Sequence, residues 1–272
     1  MSLAHLPPLR EALSAAGIGA DKRFGQHFLF DLNICRKIVK LAHISASESV
    51  LEVGPGPGGL TRALLEAGAR VTAVEKDVRF LPLLGELADA AEGRLTVVQA
   101  DAHKIDEAAL VGAGASVVAN LPYNVGSPLL VKWLTGALRP RAMTLMFQAE
   151  VARRITARPA DEDYGRLAVL AQALTAPAIV LALPSRAFTP PPKVDSAVVR
   201  LVPRRDRPDD ALIASLQSVA AAAFGQRRKM LRSSLKVLGG AELCAAAGVD
   251  PDARAETISV ESFLAMAAAR IG

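Results

Sequence analysis

The run Ser49-Val50-Leu51-Glu52-Val53, followed at once by Gly54-Pro55-Gly56-Pro57-Gly58-Gly59, restricts this chain more than any other stretch. The first five residues lack helical spacing and read as a buried strand, and a helix is read from Leu60. A glycine-rich turn between strand and helix lets a ligand approach the backbone, because no Cβ intrudes. The spacing is Gly-x-Gly-x-Gly-Gly, not the Gly-x-Gly-x-x-Gly of a pyrophosphate site, and two prolines remove donors that a phosphate would use. The turn therefore suits a nucleoside bearing an amino acid better than a diphosphate. Alone, such a turn is a weak signal.

Three further apolar runs end on polar residues. Arg70–Val74 stops at Glu75, about twenty residues beyond the glycines, where an acid can accept hydrogen bonds from both ribose hydroxyls. Leu95–Val98 leads to Gln99-Ala100-Asp101-Ala102, with Asp101 placed to accept from an adenine amino group. Ala115–Ala119 ends in Asn120-Leu121-Pro122-Tyr123. Asn120 brings an amide oxygen, Leu121 and Pro122 bring carbonyls, and Tyr123 brings an aromatic face. Acceptors beside a flat ring suit a planar substrate carrying an amino group. Each residue singly has a plainer explanation, as a helix N-cap, a loop acid or an Asn-x-Pro turn. The glycine turn and three polar groups on four successive strand ends form a constellation at the edge where open α/β sheets bind ligands.

Around this centre the chain reads as alternating helices and strands: helices over 32–43, 127–138 and 167–174, strands over 142–147, 179–183 and 197–201. Residues 1–30 form an arm in which Lys22 to Leu29 suit a flap over a ligand, bent at Gly25. Three prolines stiffen the stretch Phe188 to Ser196, which would hold Phe188 against the pocket. Arg204 to Asp209 is charged, is bounded by prolines and marks a domain boundary. Beyond it helical segments are expected near 210–224, 227–237, 241–247 and 259–270.

Charge narrows the partners. The 272 residues carry 32 basic and 27 acidic side chains, yet no acid lies between Ala211 and Ala241, where Arg227, Arg228, Lys229, Arg232 and Lys236 supply five positive charges. If 228–236 is helical, Arg228, Arg232 and Lys236 share a face, with Lys229 widening the stripe. A phosphate-binding surface is the reading favoured over a merely solvated face. Cys35 and Cys244 make neither a disulfide framework nor a zinc site, so a reducing cytoplasm fits and no metal is expected. Met1 to Arg10 has no signal-peptide core. Leu167 to Ser185 is uncharged, but its pattern changes at Pro177, so it reads as a buried helix and a strand, not a membrane span.

Together these motifs closely resemble the ribosomal RNA adenine dimethyltransferases, and among them the bacterial small-subunit type that modifies two adjacent adenines. The resemblance rests on Phe24-Gly25-Gln26-His27-Phe28-Leu29, Glu52-Val53-Gly54-Pro55-Gly56, Asn120-Leu121-Pro122-Tyr123-Asn124, the Phe188-to-Ser196 loop and Gln226-Arg227-Arg228-Lys229. It implies an α/β, Rossmann-like S-adenosylmethionine-dependent methyltransferase fold with a small all-helical C-terminal domain. Residues 1–205 would bind S-adenosylmethionine and carry out catalysis, and 206–272 would bind RNA through Arg227, Arg228, Lys229, Arg232 and Lys236. It also implies that His27, Leu29, Gly54, Glu75, Asp101 and Asn120 contact the cofactor, with Gly56, Lys76 and Ala102 beside them. His27 stands where many members carry Asn. The expected partner is 16S RNA of the small ribosomal subunit, met by a cytoplasmic monomer.

The chemistry follows from the substrate. An adenine amino group is a poor nucleophile because its lone pair is delocalised into the ring. Asn120 and the Leu121 or Pro122 carbonyl would accept its two N–H groups and draw the lone pair out of conjugation, while Tyr123, and by the resemblance Phe188, would stack on the extruded base. This asks for placed acceptors, not a titrating base. Two alternatives stay open: adenine methylation in other nucleic acid (DNA or large-subunit RNA), and an RNA-binding assembly factor whose catalysis is secondary.

Overall fold

The computed structural model describes residues 3–21, 25–226 and 228–272. They fall into two units. The first comprises the described residues up to Leu130 together with Ala137–Ala149 and Ile179–Arg200. The second comprises Val131–Gly136, Glu150–Ala178 and Leu201–Gly272. This division differs from a single cut after residue 205, because 131–136 and 150–178 group with the C-terminal helices.

The chain runs through α1 (Leu9–Ala15), β1 (Phe28–Leu29), α2 (Leu32–Leu41), β2 (Ser49–Val53), α3 (Gly59–Glu66), β3 (Arg70–Glu75), α4 (Leu81–Ala90), β4 (Leu95–Gln99), α5 (Glu107–Val111), β5 (Ser116–Asn120), α6 (Gly126–Thr135) and β6 (Met143–Gln148). It continues through α7 (Ala149–Thr156), α8 (Arg166–Leu174), β7 (Thr175–Leu183), β8 (Phe188–Thr189), β9 (Ser196–Pro203), α9 (Asp210–Gly225), α10 (Leu231–Ser234), α11 (Gly240–Ala246) and α12 (Val260–Ala269). Helix starts follow capping chemistry: the Asp31 carboxylate accepts from Asn33 N–H at 2.8 Å, and Asp209 from Leu212 N–H at 2.8 Å. In α2, Cys35, Ile38 and Val39 are buried at helical spacing.

The strands form a seven-stranded sheet in the order β4-β3-β2-β5-β6-β9-β7. β2 pairs in parallel with β3 and with β5, β3 with β4, and β5 with β6. Consecutive strands leave β2 in one direction through β3 to β4, then the chain returns to set β5 on the other side of β2. That reversal makes a crevice at the carboxyl ends of β2 and β5, the switch point where such sheets bind ligands. Leu51, Val71, Ala73, Val117, Val118 and Leu145 are buried, as near-continuous apolar strands of a parallel sheet must be. A separate two-stranded sheet pairs β1 with β8 antiparallel, Phe28 opposite Thr189 and Leu29 opposite Phe188.

In the second unit α12 packs on α9 and α8. Phe224 stacks on Phe263 at 5.5 Å between ring centroids, Tyr164 meets Phe224 edge-on, and the Tyr164 hydroxyl donates to the Ile258 carbonyl at 3.2 Å. The helix expected near 227–237 does not run continuously through 228–237. Residues 228–229 are a turn and a bend, Met230 bridges Arg254, and helix is confined to α10, followed by a 3-10 turn at Lys236–Leu238. The cause is tertiary. Leu231 and Arg232 N–H donate to the Ala253 and Pro251 carbonyls at 2.9 Å, so those donors are not available to carbonyls four residues back. Arg227 lies outside the described residues, as do Lys22, Arg23 and Phe24 of the arm. Among the described residues no helix is long and apolar enough to cross a membrane; Leu167 to Ser185 runs through α8 and β7.

Candidate cofactor and substrate site

The switch point of the first unit holds a cavity of about 260 Å³. Every strand end singled out in the sequence reaches it. Its walls include His27 and Leu29 of the arm, Gly54 and Gly56 after β2, Glu75 and Lys76 at the end of β3, Asp101 and Ala102 after β4, and Asn120 and Pro122 after β5. Gly54 and Gly56 take φ of +70° and +53°, a region that favours glycine. A Cβ on Gly56 would stand 3.7 Å from the Phe28 ring, so the positive φ, not crowding, is what favours glycine there.

The acids are preorganised by the backbone. Glu75 accepts from Gly56 N–H at 2.9 Å through Oε2 and from Asp77 N–H at 2.7 Å through Oε1. A carboxylate has about four acceptor positions. The bonds to Gly56 and Asp77 leave acceptor capacity on the carboxylate for a ligand. Burial raises the Glu75 carboxyl above the usual range, against the pull of the Asp77, Gly56 and Lys76 N–H groups. Asp101 accepts from His103 N–H at 3.0 Å and pairs with Lys76 Nζ at 2.9 Å, contacts that hold its carboxyl below the usual range, with Lys76 the larger influence.

Glu52 is a cavity residue that sequence reasoning passed over as part of a strand. It is 1% exposed, and burial pushes its carboxyl up to about 8, so at neutral pH it is mostly protonated. The Thr61 hydroxyl is near enough to lower that value but makes no hydrogen bond, and the Glu52 Oε2 and Thr61 Oγ1 atoms stay buried and unpartnered. The signal was an acid inside an apolar strand directly before the turn. Gln26, part of the stretch expected to form a flap, also lines the cavity, as do Asp77 and His103, which nothing in their local pattern marked.

At the end of β5 the Asn120 amide makes a long contact, 3.5 Å, from Nδ2 to the His27 carbonyl. The amide donor therefore faces the arm, and the side-chain oxygen remains an acceptor for a ligand. The Pro122 carbonyl accepts from Val125 and Gly126 N–H at 3.1 and 3.2 Å as α6 begins, so of the two expected backbone acceptors it is already engaged. Leu121 turns its side chain into the core. Tyr123, which is not itself among the cavity walls, is half-buried, stacks on His27 at 5.5 Å between centroids and shares a 2.6 Å hydrogen bond with Ser196 Oγ. Burial raises its phenol above the ordinary value, which keeps it neutral and suits a platform better than a base. Phe188, expected against the pocket, is instead 3% exposed and packed in the apolar core opposite Leu29; it is not among the cavity walls. Its place in β8 turns the ring inward.

The basic residues of the second unit divide. Arg228, Lys229 and Lys236 are exposed, whereas Arg232 pairs with Asp252 at 2.8 Å, an acid that stands outside the acid-free stretch of sequence but beside it in space.

The fold and cavity define an α/β protein that binds a nucleoside cofactor at the switch point of its sheet. Residues 19–270 match the family described as ribosomal RNA adenine dimethylase. The chain is 65% identical, over 98% of its length and 94% of the relative's, to the ribosomal RNA small subunit methyltransferase A of Phenylobacterium zucineum. Its structure is similar to a dimethyladenosine transferase from Plasmodium falciparum, with TM-score 0.73 and 26% identity over 88% of this chain and 96% of that one. It is similar as well to the 23S rRNA methyltransferase ErmE, with TM-score 0.69 and 28% identity over 90% of this chain and all of that one. The chain belongs to the ribosomal RNA adenine dimethylase family.

Proposed function

We propose that this protein transfers methyl groups from S-adenosylmethionine to the N6 atoms of two adjacent adenosines in 16S RNA, twice on each base, during maturation of the small ribosomal subunit. The observation that carries the reading is the convergence of the glycine turn, Glu75, Asp101 and Asn120 on one cavity at the switch point. The name of the relative at 65% identity supports the small subunit over the large one.

The cofactor supplies an electrophilic methyl group on a sulfonium. The chain's own residues do the rest. Glu75 would accept from the ribose hydroxyls with its remaining acceptor capacity, and Asp101 would accept from the amino group of the cofactor's adenine. The glycine turn and the protonated Glu52 line the amino-acid end, where the unpartnered Oε2 calls for a polar ligand group. Asn120 Oδ1 and the Leu121 carbonyl accept the N–H bonds of the target adenine, and the neutral Tyr123 ring gives it a face to stack on. As the new N–C bond forms the sulfonium C–S bond breaks, and the methylated amine then loses one proton to water, so no titrating base is required before the methyl arrives. After the first transfer one N–H remains, and a single acceptor orients the second.

Residues 1–205 take the catalytic role in this reading, and 206–272 the RNA-binding role, through Arg227, Arg228, Lys229, Arg232 and Lys236. The protein would act in the cytoplasm as a monomer. The test is mass spectrometry of RNA from small and large subunits incubated with the protein and isotopically labelled cofactor. Label is expected as dimethyladenosine at two neighbouring positions of small-subunit RNA. Label confined to large-subunit RNA would move the protein to the other substrate class, and tight small-subunit binding without label would make it an assembly factor.

A further inference from the structure

Gln26 lines the cavity, yet its side chain is committed elsewhere. Its Nε2 donates to Asp77 Oδ2 at 2.8 Å, and its Oε1 accepts from Asp21 N–H at 2.9 Å and from Arg79 Nη2 at 3.3 Å. Arg79 in turn grips Asp77 with its fork, Nε to Oδ1 at 2.9 Å and Nη2 to Oδ2 at 2.6 Å, and reaches the Gly19 carbonyl at 3.3 Å. Asp77 closes the chain of contacts by donating its backbone N–H to Glu75 Oε1 at 2.7 Å. On its other flank the arm is held by the β1–β8 pairing and by His27 Nδ1, which lies 2.8 Å from the Pro190 carbonyl and so must carry the proton.

We propose that Arg79 is a positioning residue: through Asp77 it holds Gln26 at the edge of the cavity and sets the Glu75 carboxylate, so that the seating of residues 25–29 and ribose recognition depend on one linkage. The inference rests on the reading of Glu75 as the ribose acceptor. Its physical basis is the burial of Asp77, 4% exposed. A carboxylate that deep stays ionised only with partners, and Arg79 is the first of them. Without the guanidinium the carboxylate either takes up a proton or turns toward water. Either change breaks the bond to Gln26 and frees the loop that aligns Glu75. Only a planar fork can serve Asp77 bidentately while still reaching Gln26, and an ammonium cannot.

The experiment compares the full chain with Arg79→Lys, Gln26→Ala and Glu75→Ala, reading S-adenosylmethionine affinity by calorimetry, its release rate by stopped flow, and amide hydrogen exchange at residues 26–29. Arg79→Lys keeps the charge and loses the fork. It is expected to speed cofactor release about tenfold and to accelerate exchange in the arm, the loss of one charge-assisted contact acting at a distance. Gln26→Ala should do the same, and joining the two changes should add little, because both cut one linkage. If Arg79→Lys lowers the melting temperature but leaves release and arm exchange at parental values while Glu75→Ala weakens binding, Arg79 is structural only and the clasp is overturned. If Glu75→Ala leaves affinity unchanged, the ribose reading itself fails, and this proposal with it.

Discussion

The rim of the cavity and the basic segment 228–239 solve opposite problems. At the rim, Glu75 and Asn120 stand on strands whose register with their neighbours is set residue by residue, Glu75 opposite Gln99 and Asn120 opposite Met146. Their positions are inherited from a buried sheet. The basic segment has no such frame. Its short helix α10 is buried at Leu231 and Ser234, while its cations are exposed, and its path is pinned by backbone bonds to 251–253. The difference teaches that a strand end holds a polar group at the cavity through the register of the sheet, whereas the basic segment is held at its backbone while Arg228, Lys229 and Lys236 reach into solvent. Preorganised contacts matter for rate, and mobile charges for attraction that salt can screen.

The contrast puts the largest effect at Asn120. Asn120→Ala is expected to lower single-turnover methyl transfer on the order of a hundredfold or more at saturating cofactor, the cost of one preorganised contact. Filter binding should find RNA affinity near the parental value. A matching loss of RNA binding would dissolve the contrast. Glu75→Ala comes next: loss of charge-assisted hydrogen bonds worth roughly 1.5–3 kcal/mol each should weaken cofactor binding at least tenfold by calorimetry.

Glu52 sharpens the rim side further. Its carboxyl is neutral in the folded protein up to about pH 8 but ionises near 4.3 when unfolded. Unfolding between those values releases a proton, so this group's contribution to stability is full below the unfolded value and is lost as pH rises toward 8. The loss is about 1.4 kcal/mol per pH unit at most. Glu52→Gln removes the slope, and its stability relative to the parent should grow from pH 6 to pH 7 in urea titrations. A constant difference would mean that Glu52 is ionised in the fold.

On the basic side the effects are smaller and carry a salt signature. Arg228→Ala and Lys236→Ala should each flatten the salt dependence of small-subunit binding by about one unit of slope, with cofactor affinity unmoved. Arg232→Ala should change the slope least, because its charge is already met by Asp252. That exposed pair is itself worth no more than about 1 kcal/mol to stability. Equal slopes for all three variants would show that the Asp252 contact does not persist in solution.

The same contrast explains what was legible in the sequence. The strand ends could be read because apolar runs without helical spacing must be buried strands, and whatever polar residue ends one must lie at the sheet's edge. Glu75, Asp101 and Asn120 were found in this way, as was the glycine turn. Contacts made across long separations left no local trace. Gln26 meets Asp77 across 51 positions, and nothing in Lys76-Asp77-Val78-Arg79 marks that bond. Phe188 looked like a pocket residue because its loop is stiff, but stiffness does not say which way a ring points. The charge of 228–236 was plain, yet its helical face was not realised, since the partners that divert its backbone lie some twenty residues downstream. The neutral state of Glu52 is a property of burial, which spacing alone does not report.

The claim at the centre of this account, that Asn120 acts by accepting from the adenine amino group, is tested most directly by comparing Asn120→Asp with Asn120→Ala. Single-turnover transfer to small-subunit RNA would be measured at saturating cofactor, with folding of both variants checked by circular dichroism. Asp keeps an acceptor oxygen and loses the amide donor, so it is expected to retain more activity than Ala. If Ala transfers methyl groups faster than Asp, acceptance by Asn120 is not what activates the amine.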